Sequence, residues 1–331
     1  METQETTLEV SPPRLIQALK EGFNTVANHI GLIILPVVLD IFIWLGPRLR
    51  LENLLTPIVE QMTKTLSTVN TADMQAMITS ATEAWNILLE QLNLTSSLST
   101  FPIGLPSLMK GIATNQSPLG SPTMIEMPSF ASTVLTFLGF VILGIILGGI
   151  YLSAISRRTA PEPAALDISK TAIQVINGFV LTIILIIILF VLSIPIFFMV
   201  SIVALFSPAL SQIALLGVSF VLLWLLVPLL FSPHGIFAYQ LSAPRAILTS
   251  IRLVRAFLPG VGMFLLTVIL LAQGLDILWQ AAPGTSWLTL VGITGHAFIY
   301  TAILAASFIY YRQGLAWIQN NISQYKKSIN I

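Results

Sequence analysis

The stretch that decides the fold is residues 171–244, which read TAIQVINGFVLTIILIIILFVLSIPIFFMVSIVALFSPALSQIALLGVSFVLLWLLVPLLFSPHGIFAYQLSAP. It contains no Asp, Glu, Lys or Arg. A helix that crosses a bilayer needs about 20 predominantly apolar residues, so this stretch is long enough for two crossings. The chain is predicted to fold back at Ser207-Pro208, which gives two antiparallel membrane-spanning helices.

The composition of the whole chain also indicates a lipid environment. Hydrophobic residues make up 55% of it and charged residues 9%, whereas a soluble domain has about 25% charged residues. The formal net charge of +1 does not favour nucleic acid as a partner. Since the chain has no cysteine, disulfides, thiolate metal sites and cysteine nucleophiles are excluded.

Applied to the rest of the chain, the same length rule predicts an all-α, polytopic integral membrane protein with about six transmembrane helices. The first apolar stretch runs into Gly46-Pro47-Arg48 without a small-residue cleavage site, so we expect it to be retained as a span. The predicted spans cover residues 26–45, 134–155, 176–205, 213–239, 258–279 and 287–311.

Basic residues set the predicted orientation, because loops that stay in the cytoplasm are enriched in Lys and Arg. The short loops on the other side, around Ser207-Pro208 and residues 281–286, have none. Both termini are therefore predicted to be cytoplasmic, in the cell (inner) membrane. The basic residues on the predicted cytoplasmic side are Arg14, Lys20, Arg157, Arg158, Lys170, Arg245, Arg252, Arg255, Arg312, Lys326 and Lys327.

One long loop, residues 47–133, is predicted outside the cytoplasm. It contains two amphipathic helical patterns, and Thr71 is a candidate cap for the second. We expect a helical hairpin followed by an irregular segment over the bundle, with the loop as a surface for membrane-protein partners. The predicted domains are 1–46 (tail, amphipathic helix and span one), 47–133 (extracytoplasmic loop), 134–311 (spans two to six) and 312–331 (cytoplasmic tail).

Similar sequences precede several spans. Ser11-Pro12-Pro13-Arg14 and Ser242-Ala243-Pro244-Arg245 each open an amphipathic stretch, and a serine cap followed by proline is a sound helix start. Ser169-Lys170 opens a weaker example before span three. This unit predicts three hairpins, each preceded by a cytoplasmic amphipathic helix.

The segment 250–257, which reads SIRLVRAF and leads into an apolar span, carries a family resemblance. It resembles bacterial polytopic membrane proteins of the glycerophosphodiester phosphodiesterase membrane-domain type, in which an amphipathic helix also precedes each hairpin. The resemblance implies a helical membrane module without an assigned activity. The phosphodiesterase domain itself is not expected, because no soluble stretch is long enough for its barrel.

Asp40 and Asp276 are the carboxylates within the predicted spans, and a charge at the bilayer centre costs several kcal/mol. They are therefore candidate functional residues for cation or proton binding. Each also lies only about 10 Å of helix rise from the proline beyond its span. The alternative is a structural acid near the outer rim, paired with Arg48 or Arg50, that tolerates replacement by asparagine.

His296 in span six is a candidate for a hydrogen bond between helices or for a proton relay with Asp276. Ser232 and His234 lie where Pro233 interrupts span four, and interrupted helices form ion or substrate sites in some transporters. Proline kinks without a binding role are commoner. The three histidines are too scattered to predict a metal site, and no cofactor is expected.

Two glycines in span two, Gly144 and Gly148, are four residues apart. Small residues at this spacing allow close approach of another helix in a membrane. We therefore predict a helix-packing face on span two.

Three function classes stay open. The favoured one is a non-catalytic membrane module that binds lipids or protein partners. The first alternative is a transporter or permease subunit for a small solute or ion. A membrane-embedded enzyme has the least support, because no phosphate-binding glycine loop, paired carboxylates or nucleophile with its base is recognisable.

Overall fold

The computed structural model describes residues 11–66, 72–111, 116–162, 165 and 167–329. This part of the chain is almost wholly helical, with two short strands. The helices are α1 (Leu15–Asn28), α2 (Ile34–Leu45), α3 (Glu52–Leu66), α4 (Ala72–Gln91), α5 (Phe130–Arg158), α6 (Ile168–Phe206), α7 (Pro208–Leu226), α8 (Ser232–Tyr239), α9 (Ala243–Ala256), α10 (Leu258–Trp279) and α11 (Thr289–Ile329). The 3-10 turns are Ile30–Ile33, Leu94–Leu98 and Val227–Leu229, and the strands are β1 (Arg48–Arg50) and β2 (Met124–Glu126).

In the described part of the chain, five helical segments are long and apolar enough to cross a membrane, and a sixth is added if a bent pair counts as one span. Large apolar side chains stay exposed along them, including Phe197 at 76% and Phe220 at 72%. Such surfaces are stable when hydrocarbon, not water, surrounds them. The all-α polytopic class is therefore confirmed. The five segments are Phe130–Arg158, Ile168–Ala204, Ala209–Tyr239, Leu258–Trp279 and Thr289–Asn321.

The first span differs from its prediction. The chain bends by 92° between Leu15–Asn28 and Ile30–Leu45, so the apolar helix begins at Ile30 and not at residue 26. Val26 is instead buried at the end of α1, one turn after Gly22 and two turns after Ala18. The 16 residues from Ile30 to Leu45 rise about 24 Å, which is short for a bilayer crossing.

The helix starts also differ from the predicted serine caps. Arg14 occupies the cap position of α1, and Ser242, at the cap position of α9, makes no capping hydrogen bond with its side chain. Asp167 caps α6 by accepting a hydrogen bond from the backbone N–H of Lys170. Ser169-Lys170, the weaker of the predicted amphipathic stretches, belongs to the first turn of the 39-residue α6 and does not form a separate helix. The predicted cap Thr71 lies outside the described residues.

The contacts divide the chain into two compact units. Unit 1 takes the described residues of Met1–His29, Leu152–Leu271 and Thr301–Ile331, and unit 2 takes those of Ile30–Tyr151 and Ala272–Tyr300. The two units are defined by which segments of the helices pack against each other. The predicted domain boundaries at 46, 133 and 311 follow membrane topology, and they stay predictions.

Unit 1 has an aromatic core. Phe264 and Tyr310 stack with ring centroids 4.3 Å apart, and Phe231 packs beside both. Ala18 of α1 and Leu253 of α9 are buried in the same cluster. Both amphipathic helices are therefore fixed to unit 1 by their apolar faces.

Unit 2 contains the long loop. The helices α3 and α4 pack against each other, and β1 pairs in parallel with β2. The irregular segment 98–109 that follows α4 lies along α5, where a side chain at Gly144 would meet Leu98 and one at Gly148 would meet Gly104. The glycine face of span two thus receives this segment, which corrects the prediction of a helix-packing face.

Gly148→Ala should destabilise unit 2 by about 1–3 kcal/mol, because the added methyl group would meet the Gly104 backbone, which no side-chain rotation can relieve. Thermal unfolding of the detergent-solubilised protein, followed by circular dichroism, measures the effect. Gly139→Ala on the same helix is the matched control, since its methyl group would meet nothing within 4 Å. Equal transition temperatures for the two variants would contradict the close approach.

Candidate functional site

The five polar residues predicted from the sequence fall into three places. Asp40 lies against the segment 98–109 in unit 2. Asp276 and His296 are brought together in unit 2. Ser232 and His234 lie in α8 of unit 1.

Asp40 anchors the irregular segment. Its carboxylate is fully buried and accepts hydrogen bonds from the backbone N–H groups of Leu108 at 2.9 Å and Met109 at 3.2 Å, and from the Ser107 hydroxyl. A carboxylate that accepts hydrogen bonds from several donors can stay buried without a cationic partner. Arg50, one of the two partners expected for Asp40, instead forms ion pairs with Glu52 and Glu126.

Asp276 joins α10 to α11. One carboxylate oxygen lies 2.7 Å from Nδ1 of His296, and the other accepts a hydrogen bond from the Tyr300 hydroxyl at 2.9 Å. Tyr300 follows His296 by one helical turn, so both groups face the same carboxylate. Sequence reasoning had paired His296 with Asp276 as one alternative but had missed Tyr300.

His234 joins α8 to α11. Its Nε2 lies 2.7 Å from the hydroxyl of Ser307, and both side chains are buried. The Ser307 hydroxyl is also 2.7 Å from the Leu304 carbonyl, one turn earlier in its own helix. The Ser232 hydroxyl is buried without a hydrogen-bond partner among the described residues.

Unit 1 also contains a polar site that none of the sequence predictions includes. A cavity of about 150 Å³ lies at the end of α5 and the start of α6, lined among others by Arg157, Arg312, Thr171 and Gln174. It also includes Asp167, and none of the five predicted residues lines it. We name it the arginine cavity. Sequence reasoning had assigned both arginines to membrane orientation alone.

Hydrogen bonds fix the two arginines of the cavity. Arg157 donates from Nη1 to the Ser153 hydroxyl at 2.8 Å, and lies 3.3 Å from the Thr171 hydroxyl. Arg312 donates from Nη2 to the carbonyl of Ser156 at 2.8 Å and to its hydroxyl at 2.9 Å. These contacts bind the helices together and hold both guanidinium groups beside the cavity.

The charges around the cavity are mostly positive. Lys170 and Asp167 form an ion pair of 3.3 Å, and the backbone N–H of Lys170, which donates to the carboxylate, lowers the pKa of Asp167. Among the described residues, no carboxylate forms an ion pair with Arg157 or Arg312. The site therefore has two arginine charges that no acid in the described part of the chain neutralises.

A larger cavity of about 560 Å³ shares Arg312 with the arginine cavity. Its lining includes Arg158, His29 and Gln313, together with Glu21 of α1. Within the described residues, no three His, Asp or Glu side chains converge to hold a metal ion. The lining of this cavity therefore combines guanidinium, imidazole, amide and hydroxyl groups with the carboxyl group of Glu21.

Comparisons with protein-family models, with curated proteins and with solved structures found no match to this chain. The resemblance to the phosphodiesterase-associated membrane domain stays a prediction.

Asp40→Asn should reduce the free energy that holds the segment 98–109 in place by about 1–3 kcal/mol. The amide nitrogen of asparagine would face a backbone N–H or a hydroxyl donor and could not accept its hydrogen bond. This reverses the tolerance expected from the sequence. Hydrogen exchange of peptides from residues 99–110, read by mass spectrometry, should become faster. Glu52→Gln, which removes a more exposed acid of the same unit, is the control; equal exchange in both variants would refute the anchoring role.

Proposed function

We propose that the protein is a non-catalytic membrane module that binds the phosphate-bearing headgroup of an anionic lipid in the arginine cavity of unit 1. The observation that carries this proposal is the presence of Arg157 and Arg312 in one cavity without an acidic partner among the described residues. Partly buried cations of this kind bind anions strongly, because water screens them weakly.

The donor chemistry favours a phosphate. Guanidinium groups present several N–H donors in a plane that matches phosphate oxygens. The Nε–H group of Arg312 is a further donor, because it is buried without a hydrogen-bond partner among the described residues. The neighbouring Ser153, Thr171 and Gln174 add hydroxyl and amide groups of the kind that orient a headgroup.

The position of the cavity also favours a lipid. Arg157 lies in the last turn of one apolar helix, and Lys170 lies in the first turn of the next. Helix ends of this type lie where the hydrocarbon core meets the headgroups. On the proposed orientation, with both termini cytoplasmic, this is the inner leaflet, whose anionic lipids attract basic residues.

The amphipathic helix α9 supports the same assignment. Ala246, Leu253 and Val254 are buried against unit 1, whereas Arg245, Arg252 and Arg255 are exposed. The apolar face of α9 is thus occupied by protein, and its exposed cations are free to attract anionic headgroups.

A binding role, not catalysis, fits the lining of the cavity. Asp167, the one carboxylate among the described residues of the lining, is occupied by the capping bond and the ion pair with Lys170. Arginine, serine, threonine and glutamine can hold a phosphate, but this lining does not pair a nucleophile with a base.

Protein partners remain part of the proposal through the long loop. The helices α3 and α4 bury Val59 and Leu89 between them and leave Ile58, Met62 and Trp85 exposed. Apolar side chains on the outer surface of such a pair are typical of a contact with another protein.

The double variant Arg157→Gln/Arg312→Gln should bind phosphatidylglycerol at least about tenfold more weakly, because two charge-assisted hydrogen bonds to the phosphate are lost. Native mass spectrometry of the detergent-solubilised protein, titrated with phosphatidylglycerol or phosphatidylcholine, measures the retained lipid. Competition by inorganic phosphate separates recognition of the phosphate group from recognition of the whole lipid.

Lys64→Gln is the control, because it removes an exposed cation of the long loop that does not line the cavity. Its lipid retention should equal that of the unmodified protein. Unchanged retention in the double variant, or an equal loss in the control, would overturn the proposal. Unchanged unfolding temperatures verify that the variants are folded.

A second candidate function is passage of a small solute or ion, favoured by the break in the fourth span. The 3-10 turn Val227–Leu229 separates α7 from α8, and the buried Ser232 hydroxyl beside it lacks a partner among the described residues. Broken helices expose backbone groups that bind ions in transporters.

If the broken span conducts, proteoliposomes should swell in isosmotic salt or small solute faster than liposomes of lipid alone. Ser232→Val should slow the swelling, since it removes the buried hydroxyl, whereas Ser219→Val on the exposed face of α7 should not. Light scattering after rapid mixing records the rates. Equal rates with and without the protein would leave lipid binding as the function.

A further inference from the structure

The arginine cavity adjoins the larger cavity of unit 1 at Arg312. Arg312 and Ala160 line both of them, so the two spaces meet at one guanidinium group. Its Nη2 donates to Ser156, and the ring of Tyr239 lies 5.7 Å from its guanidinium carbon. Arg312 is therefore fixed at the boundary of the two cavities, and its buried Nε–H lacks a hydrogen-bond partner among the described residues.

Each cavity also has an arginine of its own. Arg157 lines the arginine cavity and Arg158 lines the larger one, although they are neighbours at the end of α5. Successive residues of an α-helix point about 100° apart, which directs the two side chains to different sides of the helix. In the described part of the chain, no carboxylate forms an ion pair with Arg158. The described lining of the joined cavities thus contains three guanidinium groups, one of which is shared.

The charges of the combined lining leave an excess of two positive charges. Asp167 forms an ion pair with Lys170, and Glu21 accepts a hydrogen bond from Gln17 at 2.9 Å. With His29 counted as neutral, the net charge of the described lining is +2, and an anion with two negative groups would balance it. The charged residues of this lining are Arg157, Arg158, Lys170, Arg312, Asp167 and Glu21.

We infer that the two cavities together bind one phospholipid that carries two phosphate groups, as cardiolipin does. One phosphate lies between Arg157 and Arg312 in the arginine cavity, and the other lies beside Arg158 in the larger cavity. This inference rests on the proposed function and names the class of lipid. Recognition consists of hydrogen bonds and ion pairs, and no covalent bond is made or broken.

The larger cavity has room for more than a phosphate. Its volume of about 560 Å³ falls within the range of about 300–1,000 Å³ that is typical of small-molecule sites. Asn24 and Asn28 lie one helical turn apart on α1, and both line this cavity. Their amide groups can form hydrogen bonds with the hydroxyl of the glycerol that joins the two phosphates. The lining therefore suits a phosphate together with its polar linker.

Apolar side chains beside the arginine cavity favour a lipid over a soluble diphosphate. Ile173 and Ile176 follow Lys170 on α6, and both are exposed. Acyl chains can lie along this part of α6 while their phosphate occupies the cavity. Basic pockets between membrane helices on the cytoplasmic side are typical binding sites for lipids of this class.

Cardiolipin should be retained at least about tenfold better than phosphatidylglycerol at equal concentrations of lipid phosphate, because its second phosphate binds within an already bound molecule. Native mass spectrometry of the detergent-solubilised protein compares the retained lipids. Phosphatidic acid, whose charge is on a single phosphate, should be retained no better than phosphatidylglycerol. This comparison separates the number of phosphates from the charge of the lipid.

Two variants change the larger cavity in opposite directions. Arg158→Gln should abolish the preference for cardiolipin over phosphatidylglycerol, because it removes the cation beside the second phosphate. Glu21→Gln should raise cardiolipin retention, because it removes a carboxylate from the same lining while still accepting the hydrogen bond from Gln17. A gain of this kind cannot come from a variant that fails to fold. Lys64→Gln is the control and should leave the preference unchanged.

The outcomes separate this inference from the proposed function. If Arg157→Gln/Arg312→Gln weakens phosphatidylglycerol retention but the unmodified protein retains both lipids equally, only the inference of two phosphates is wrong. Unchanged phosphatidylglycerol retention in that double variant overturns both.

Three further results would overturn the inference. They are a cardiolipin preference that survives in Arg158→Gln, no gain in Glu21→Gln, and phosphatidic acid retained as well as cardiolipin. Displacement of cardiolipin by an equal concentration of inorganic pyrophosphate would assign the site to a soluble diphosphate and overturn the lipid as its ligand.

Discussion

The structure depends on the need to satisfy polar groups without water. Gly148, which contacts the segment 98–109, lies 18 residues, or about 27 Å of helix, from the start of α5. Irregular backbone at this depth is stable only when protein groups form hydrogen bonds with its N–H and C=O groups. Asp40 does so by accepting hydrogen bonds from two backbone N–H groups and a hydroxyl. Within the segment, the Ser99 hydroxyl donates a hydrogen bond to the Leu105 carbonyl. An acid inside a span is thereby explained as a partner for a buried loop.

The same constraint separates what the sequence could predict from what it could not. Long apolar runs such as residues 171–244 predicted the spans, because hydrocarbon leaves the backbone no other regular structure than the helix. The bend after Asn28 was missed, since the apolar pattern continues through it and the buried face of α1 is set by contact with α11 at Gly22. Partners distant in sequence were also missed: Arg312 bonds to Ser156, 156 residues away, and Asp40 to a segment about 68 residues on.

The polar sites of the two units use opposite electrostatic solutions. In unit 1, Arg157 at the end of α5 and Arg312 within α11 keep a charge that no described acid neutralises, which fits a ligand supplied from the membrane surface. In unit 2, carboxylates lie within helices, and hydrogen bonds from neighbouring groups compensate them locally. Of the candidate residues read from the sequence, Asp276 and His296 lie in contact, and this proximity could be predicted because they belong to adjacent spans. The arginine cavity was not foreseen, because positive-inside topology already explains its basic residues.

The length of α6 has a consequence for its orientation in the membrane. Lys170 and Gln174 near its start belong with the headgroups, and the 27 residues from 178 to 204 rise about 40 Å, against a hydrocarbon core of about 30 Å. A helix longer than the core takes up the excess by tilting or bending, and Pro195 lies inside this stretch. We therefore expect α6 to cross the bilayer inclined to the membrane normal and not upright.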